Sequence, residues 1–168
     1  MTGKSFSVRI FLQDGHADGV RVISRSKWSG RGLVIPRASF AEEFDRVELK
    51  AAGVYLLTVT DADVDRPTLC IGAADPVCDG LVRHAADEQS WSTALVFTCR
   101  ENSLNFAQYQ SIAARLLQLC RNVNQAEIIN ADRDETQQLN ATESAAVETF
   151  LEHMLGLYPL FGVTAFES

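Results

Sequence analysis

The chain has no uninterrupted apolar stretch approaching the roughly 20 residues needed to cross a bilayer, so a membrane-spanning helix is not expected. Residues 1–7 lack the long apolar core of a secretory signal, which makes the cytoplasm the expected compartment. Cysteine is scarce: Cys70, Cys78, Cys99 and Cys120 show no paired CxxC spacing. Cys70, Cys78 and His84 brought together around zinc would match no recognised framework, and buried free thiols acting as small hydrophobes are the simpler expectation. Positive charge is short, with 15 Lys and Arg against 22 Asp and Glu and a net charge of −7. That balance argues against strong, non-specific binding to nucleic acid, whose affinity comes largely from cations on phosphates. The deficit is uneven. Residues 1–52 hold nine cations against six acids, and the remainder holds six against sixteen, so a basic surface must come mainly from the first third. There is no internal repeat, no low-complexity segment and no Pro- or Gly-rich linker.

What is present is ordinary for a globular domain: 46% hydrophobic and 22% charged residues in a 168-residue chain. Residues 6–13 alternate, with Phe6, Val8, Ile10 and Leu12 on one side and Ser7, Arg9 and Phe11 on the other, a period-two strand pattern. Asp14-Gly15 and Asp18-Gly19 flank a turn, and residues 20–24 read as the returning strand. Residues 33–37 form a short strand halted by Pro36. A modest helical pattern follows over 38–48, where Ser39 and Glu42 have capping-box spacing. Further on, residues 91–99 read as a central strand, and Ser103 is placed to cap a long helix carrying Tyr109, Ile112, Ala113, Leu116 and Cys120 on one face. Residues 126–130 suggest a short strand. Asn140 with Glu143 opens another amphipathic helix, ended near Pro159, and the apolar residues 160–166 suggest an edge strand.

Trp28 sits among Arg25, Lys27, Arg31 and Arg37, the best candidate for a nucleic-acid contact. Cations would meet phosphates while the indole stacks on a base. The competing reading is that Trp28 plugs the bottom of a small sheet and the cations are solvated. Gly30 and Gly32 fit either, since both readings need close backbone approach or a bend.

The centre of the chain carries the most specific pattern. Residues 53–60 (GVYLLTVT) read as a buried strand and residues 68–72 (TLCIG) as a second, joined across Asp- and Pro-containing turn residues as an antiparallel hairpin. After Gly72, Asp75-Pro76 can open a helix that would carry His84. Strands reading GVY and CIG followed by a helix with a histidine resemble the core of the GIY-YIG nuclease family. The likeness continues through residues 91–98, the helix over 104–119 and Asn130. Upstream, FSVRIFLQDG and WSGRGLVIPR resemble the amino-terminal extension of a bacterial subgroup. The resemblance implies an α+β fold: a small central mixed or antiparallel sheet flanked by helices as an α/β sandwich, with a β-rich extension over 1–50 and the nuclease-like domain over 51–168, in one compact unit.

Tyr55, His84 and Asn130 match the catalytic pattern that the family implies. Three positions depart from it. Cys70 stands where the second motif usually has tyrosine, Gly80 where an arginine usually lies four residues before the helical histidine, and Ala113 where a glutamate usually ligates Mg²⁺. Arg83 is present, but three residues along. Alanine cannot coordinate a cation and glycine offers no guanidinium to a phosphate. Residues that act as a unit fail together. The resemblance, so qualified, implies a nuclease-like domain without cofactor that binds DNA or protein, with Arg25, Lys27, Trp28, Arg31, Arg37 and Arg83 as the nucleic-acid contacts. A protein partner or homo-oligomer fits the acidic balance better than bare DNA. The alternatives are an active endonuclease using Mg²⁺, and a structural or dimerisation module. Gly80, costing about 1 kcal/mol in a helix relative to alanine, is expected to make room for a close neighbour.

Overall fold

The computed structural model describes residues 4–59, 66–86, 91–101, 103–129 and 138–167. The protein is α+β: among the described residues an open, mixed seven-stranded sheet carries four α-helices. The strands are β1 (Val8–Leu12), β2 (Arg21–Arg25), β3 (Gly30–Pro36), β4 (Gly53–Val59), β5 (Thr68–Ala74), β6 (Trp91–Cys99) and β7 (Glu127–Ile128). Their order in space is β1-β2-β3-β6-β4-β5-β7, antiparallel throughout except where β5 meets β7 in parallel. The hairpin expected from the GVY and CIG segments is present: β4 and β5 pair antiparallel with Tyr55 opposite Gly72. The turn between them falls largely outside the described residues.

Period-two alternation sorts the side chains to two faces. Val54, Leu56, Ile71, Leu95 and Phe97 point to one, where α3 (Phe106–Val123), α4 (Ala141–Leu155) and a 3₁₀ turn (Tyr158–Phe161) cover them. Tyr55, Leu57, Cys70, Ala94 and Val96 point to the other, under α1 (Arg37–Glu43), the 3₁₀ turn Val47–Lys50 and α2 (Val77–Ala86). β6 is central, hydrogen-bonded to β3 on one side and β4 on the other, which accounts for its apolar residues on both faces. The first fifty residues supply three strands to the same sheet, and β3 pairs along its full length with β6.

Several local details differ from the sequence pattern. α1 begins after Pro36 with no side-chain cap, so the spacing of Ser39 and Glu42 makes no capping box. Asn105, not Ser103, caps α3, in a reciprocal box with Gln108; Ser103 instead hydrogen-bonds with Cys99. The expected box of Asn140 and Glu143 does open α4. Residues 160–166 form no edge strand. Pro159 sits in a 3₁₀ turn that closes at Gly162 (φ 81°), and Val163 and Ala165 bury themselves in the core without a strand partner. Apolar composition there signalled burial, and proline settled the conformation.

Candidate functional site

β4, β5 and α2 bring Tyr55, Cys70 and His84 together on the α1/α2 side of the sheet. The Tyr55 hydroxyl and His84 Nε2 share a hydrogen bond of 3.1 Å, and the rings meet edge to face at 5.6 Å. Cys70 Sγ lies 3.5 Å from the same nitrogen. Tyr55 and Cys70 are buried and His84 is half-buried on the third turn of α2.

Two glycines create the space for Tyr55. A Cβ at Gly72 would stand 2.5 Å from the Tyr55 oxygen, and one at Gly80 would stand 2.6 Å from its Cε1. The close neighbour expected at Gly80 is therefore the tyrosine ring. Gly72, the last residue of the CIG segment, stands across the hairpin from Tyr55, where a side chain would occupy the ring's own face.

Ala113 does not join this group. It lies on α3, 7% exposed, in the core on the opposite face of the sheet. Asn130 lies outside the described residues. Among the described residues the gathered donors are a phenol, a thiol and an imidazole. Mg²⁺ prefers hard oxygen ligands in octahedral array, so this set does not fit it. Among the described residues no cluster of three His, Cys, Asp or Glu side chains is placed to hold a metal ion. Cys78 is directed to Asp79, with Sγ 3.9 Å from its carboxylate. Burial first, and then the Asp79 charge, push the Cys78 thiol above its ordinary value.

The structure does not bring the six proposed nucleic-acid contacts to one surface. Trp28 packs against Phe150 at 5.0 Å, Phe97 at 6.0 Å and His153 at 6.0 Å, on the α3/α4 side. Its indole nearly fills the position of a Gly30 side chain, a Cβ there lying 2.1 Å from the ring. Arg25 lies with its guanidinium 3.5 Å from the centroid of the Phe6 ring and donates to the His153 carbonyl at 2.9 Å. Arg31 faces the other side and pairs with Glu48 at 3.0 Å. Arg37 covers Trp91 and donates to the Ala85 carbonyl at 3.0 Å. Lys27 and Arg83 are exposed, Lys27 in a left-handed turn (φ 58°).

A polar cluster that the sequence did not reveal lies beside α1. Arg46 pairs with Glu43 at 3.0 Å and Glu48 at 3.3 Å and donates to Gln13, which itself donates to Glu43 at 2.7 Å. It ties the end of the first hairpin to α1 and to the 3₁₀ turn after it. Burial pushes the Glu48 carboxyl up, but its own backbone N–H, Arg46 and Arg31 outweigh that and hold it below the ordinary carboxylate value.

Comparison of the chain with protein-family models, with curated proteins and with solved structures gives no match in any of the three.

Proposed function

We propose that the chain is a GIY-YIG-like module, catalytically degenerate, that works by binding a protein rather than by cutting phosphodiester bonds. One observation carries this reading. The only tyrosine of the paired motifs is 3% exposed, hydrogen-bonded to His84 and fitted against Gly72 and Gly80. A phenol so placed is a packing residue with an internal partner, and the arginine that would neutralise a phosphate is the glycine against which its ring lies. Removing one donor to developing charge typically costs about 2.7–4 kcal/mol of transition-state stabilisation. Here the guanidinium of the family pattern is replaced by Gly80. The preference for protein over DNA rests on the net charge of −7 and on the internal engagement of Arg25, Arg31 and Arg37. Four free cysteines fit a reducing compartment, and no helix among the described residues is long and apolar enough to cross a membrane; we place the protein in the cytoplasm.

The test is incubation of the purified chain with supercoiled plasmid and Mg²⁺ or Mn²⁺. The expected result is intact plasmid from the wild type and from Tyr55→Phe alike. Nicking by the wild type that Tyr55→Phe abolishes would overturn the reading in favour of an active endonuclease.

A further inference from the structure

The outer edge of β1 is unlike the rest of the surface. Ser26 N–H donates to the Ser7 carbonyl at 2.9 Å and Gln13 N–H to the Val20 carbonyl at 3.1 Å. These two bonds set the phase of the β1–β2 ladder, in which alternate residues face the partner strand. Ser7, Arg9, Phe11 and Gln13 therefore turn their backbone groups to β2. Val8, Ile10 and Leu12 turn theirs outward, where no strand lies among the described residues. Edge strands are usually protected by charged side chains, proline, a bulge or inward charge. β1 has no proline, pairs with β2 without a bulge and carries Arg9 as its one charge, and it leaves Ile10 42%, Phe11 59% and Leu12 39% exposed.

We infer that two copies of this chain join through β1, antiparallel and with the two-fold axis at Ile10, so that their sheets become continuous. This goes beyond the binding role proposed above and holds whether or not the chain cuts DNA. The side chains of the strand choose this occupant. With Ile10 opposite its own copy, Val8 meets the second copy's Leu12, and Arg9 meets its Phe11. The outward N–H and carbonyl groups of Val8, Ile10 and Leu12 are then in phase for narrow, doubly bonded pairs, about six backbone hydrogen bonds in all. One face of the junction is wholly apolar, since Ile10 lies opposite Ile23 on the α3/α4 side. On the other face each guanidinium lies beside an aromatic ring, a favourable cation–π pair. Moving the axis to Arg9 would oppose two guanidinium groups, which cross-strand pairs disfavour. Centring on Ile10 keeps the whole of Val8–Leu12 paired.

Sedimentation equilibrium on the full chain tests this. The wild type is expected to dimerise at micromolar concentration, and a monomer throughout that range would overturn the inference. Phe11→Arg sets two guanidiniums opposite each other and should weaken the dimer about 10-fold or more, whereas Phe11→Glu faces Arg9 and should retain it. Equal loss in both would overturn the register, because an unspecific apolar patch would respond that way. Ile10→Pro removes only an outward N–H, so the circular dichroism spectrum should be kept while the dimer is lost. If that variant does not fold, Ile10→Cys in a Cys78→Ser background decides. Oxidation should cross-link position 10 to itself, since Cα atoms of such pairs stand about 5.5 Å apart. Cross-linking by Arg9→Cys instead would overturn the inference.

Discussion

A methyl group at Gly80 would meet the ring of Tyr55 before it could contribute anything to α2. Helix propensity favours alanine over glycine by about 1 kcal/mol, but the added Cβ would approach Tyr55 Cε1 to 2.6 Å and the Ala74 Cβ to 3.1 Å. Tyr55 is held from the sheet side and cannot retreat. Overpacking of this kind costs about 1–3 kcal/mol, so Gly80→Ala should be destabilising on balance, with a lower urea midpoint than the wild type. Equal or greater stability would mean that the ring has room to move. Tyr55→Phe keeps the ring and removes the hydrogen bond to His84, and should lower stability by about 1 kcal/mol. Glu48 supplies a pH signature at the same scale. A carboxyl held below its unfolded value contributes stability that is present above the ordinary value of 4.5 and is lost as the pH falls through the folded value. Glu48→Gln should therefore be less stable than the wild type at neutral pH. The gap should narrow as the pH falls below the ordinary carboxylate value of 4.5 and the wild type loses its advantage, measured as urea midpoints at a series of pH values.

At the scale of elements, α3 and α4 are joined at their amino termini. Asn105 caps α3 and also donates from Nδ2 to Glu143 Oε2 at 2.9 Å, while Glu143 closes the capping box of α4 with Asn140. Gln108 Nε2 adds a bond to the Glu143 carbonyl at 3.2 Å. Loss of a cap alone costs about 1 kcal/mol. Asn105→Ala removes a cap and a bridge together, and in a double-mutant cycle with Glu143→Ala the two should couple by about 0.5 kcal/mol or more. Additive effects would show the bridge to be incidental. Half of this arrangement was legible: Asn140 and Glu143 have the right spacing just before an apolar run. Ser103 and Asn105 are both good caps two residues apart, and only the turn's path decides for Asn105. The strands were legible where both faces are apolar, as in β4 and β6. The seven-strand order was not, because β3 reaches β6 across more than fifty intervening residues that carry no local sign of it. Tyr55 and His84 could be named from their motifs, but their mutual hydrogen bond depends on the pitch of α2 over the sheet. The placement of Ala113 across the sheet likewise follows from which face α3 covers.

At the scale of the molecule, the two tryptophans report from opposite sides of the sheet. Trp28 lies with Phe97 and Phe150 under α4, and Trp91 lies with Phe40 beneath α1. Each joins segments far apart in the chain: Trp28 anchors the first hairpin's exit to the last helix, and Trp91 receives α1 and the Arg37 guanidinium. The sheet runs between them without a gap, so neither layer can open without uncovering a face of β6 and β4. A protein arranged this way should unfold in one step, its first fifty residues included. Single-tryptophan variants, Trp28→Phe and Trp91→Phe, make the expectation measurable, since each leaves one fluorescent reporter in one layer. Within each variant the fluorescence midpoint in urea should coincide with that from far-ultraviolet circular dichroism. A Trp28 signal that shifts well before the dichroism does, in the Trp91→Phe variant, would mean that the first hairpin and α4 separate before the central strands. The extension would then be a unit of its own. Coincidence in both variants would mean that the strands contributed by residues 8–36 are as much a part of the folded core as β4 and β5.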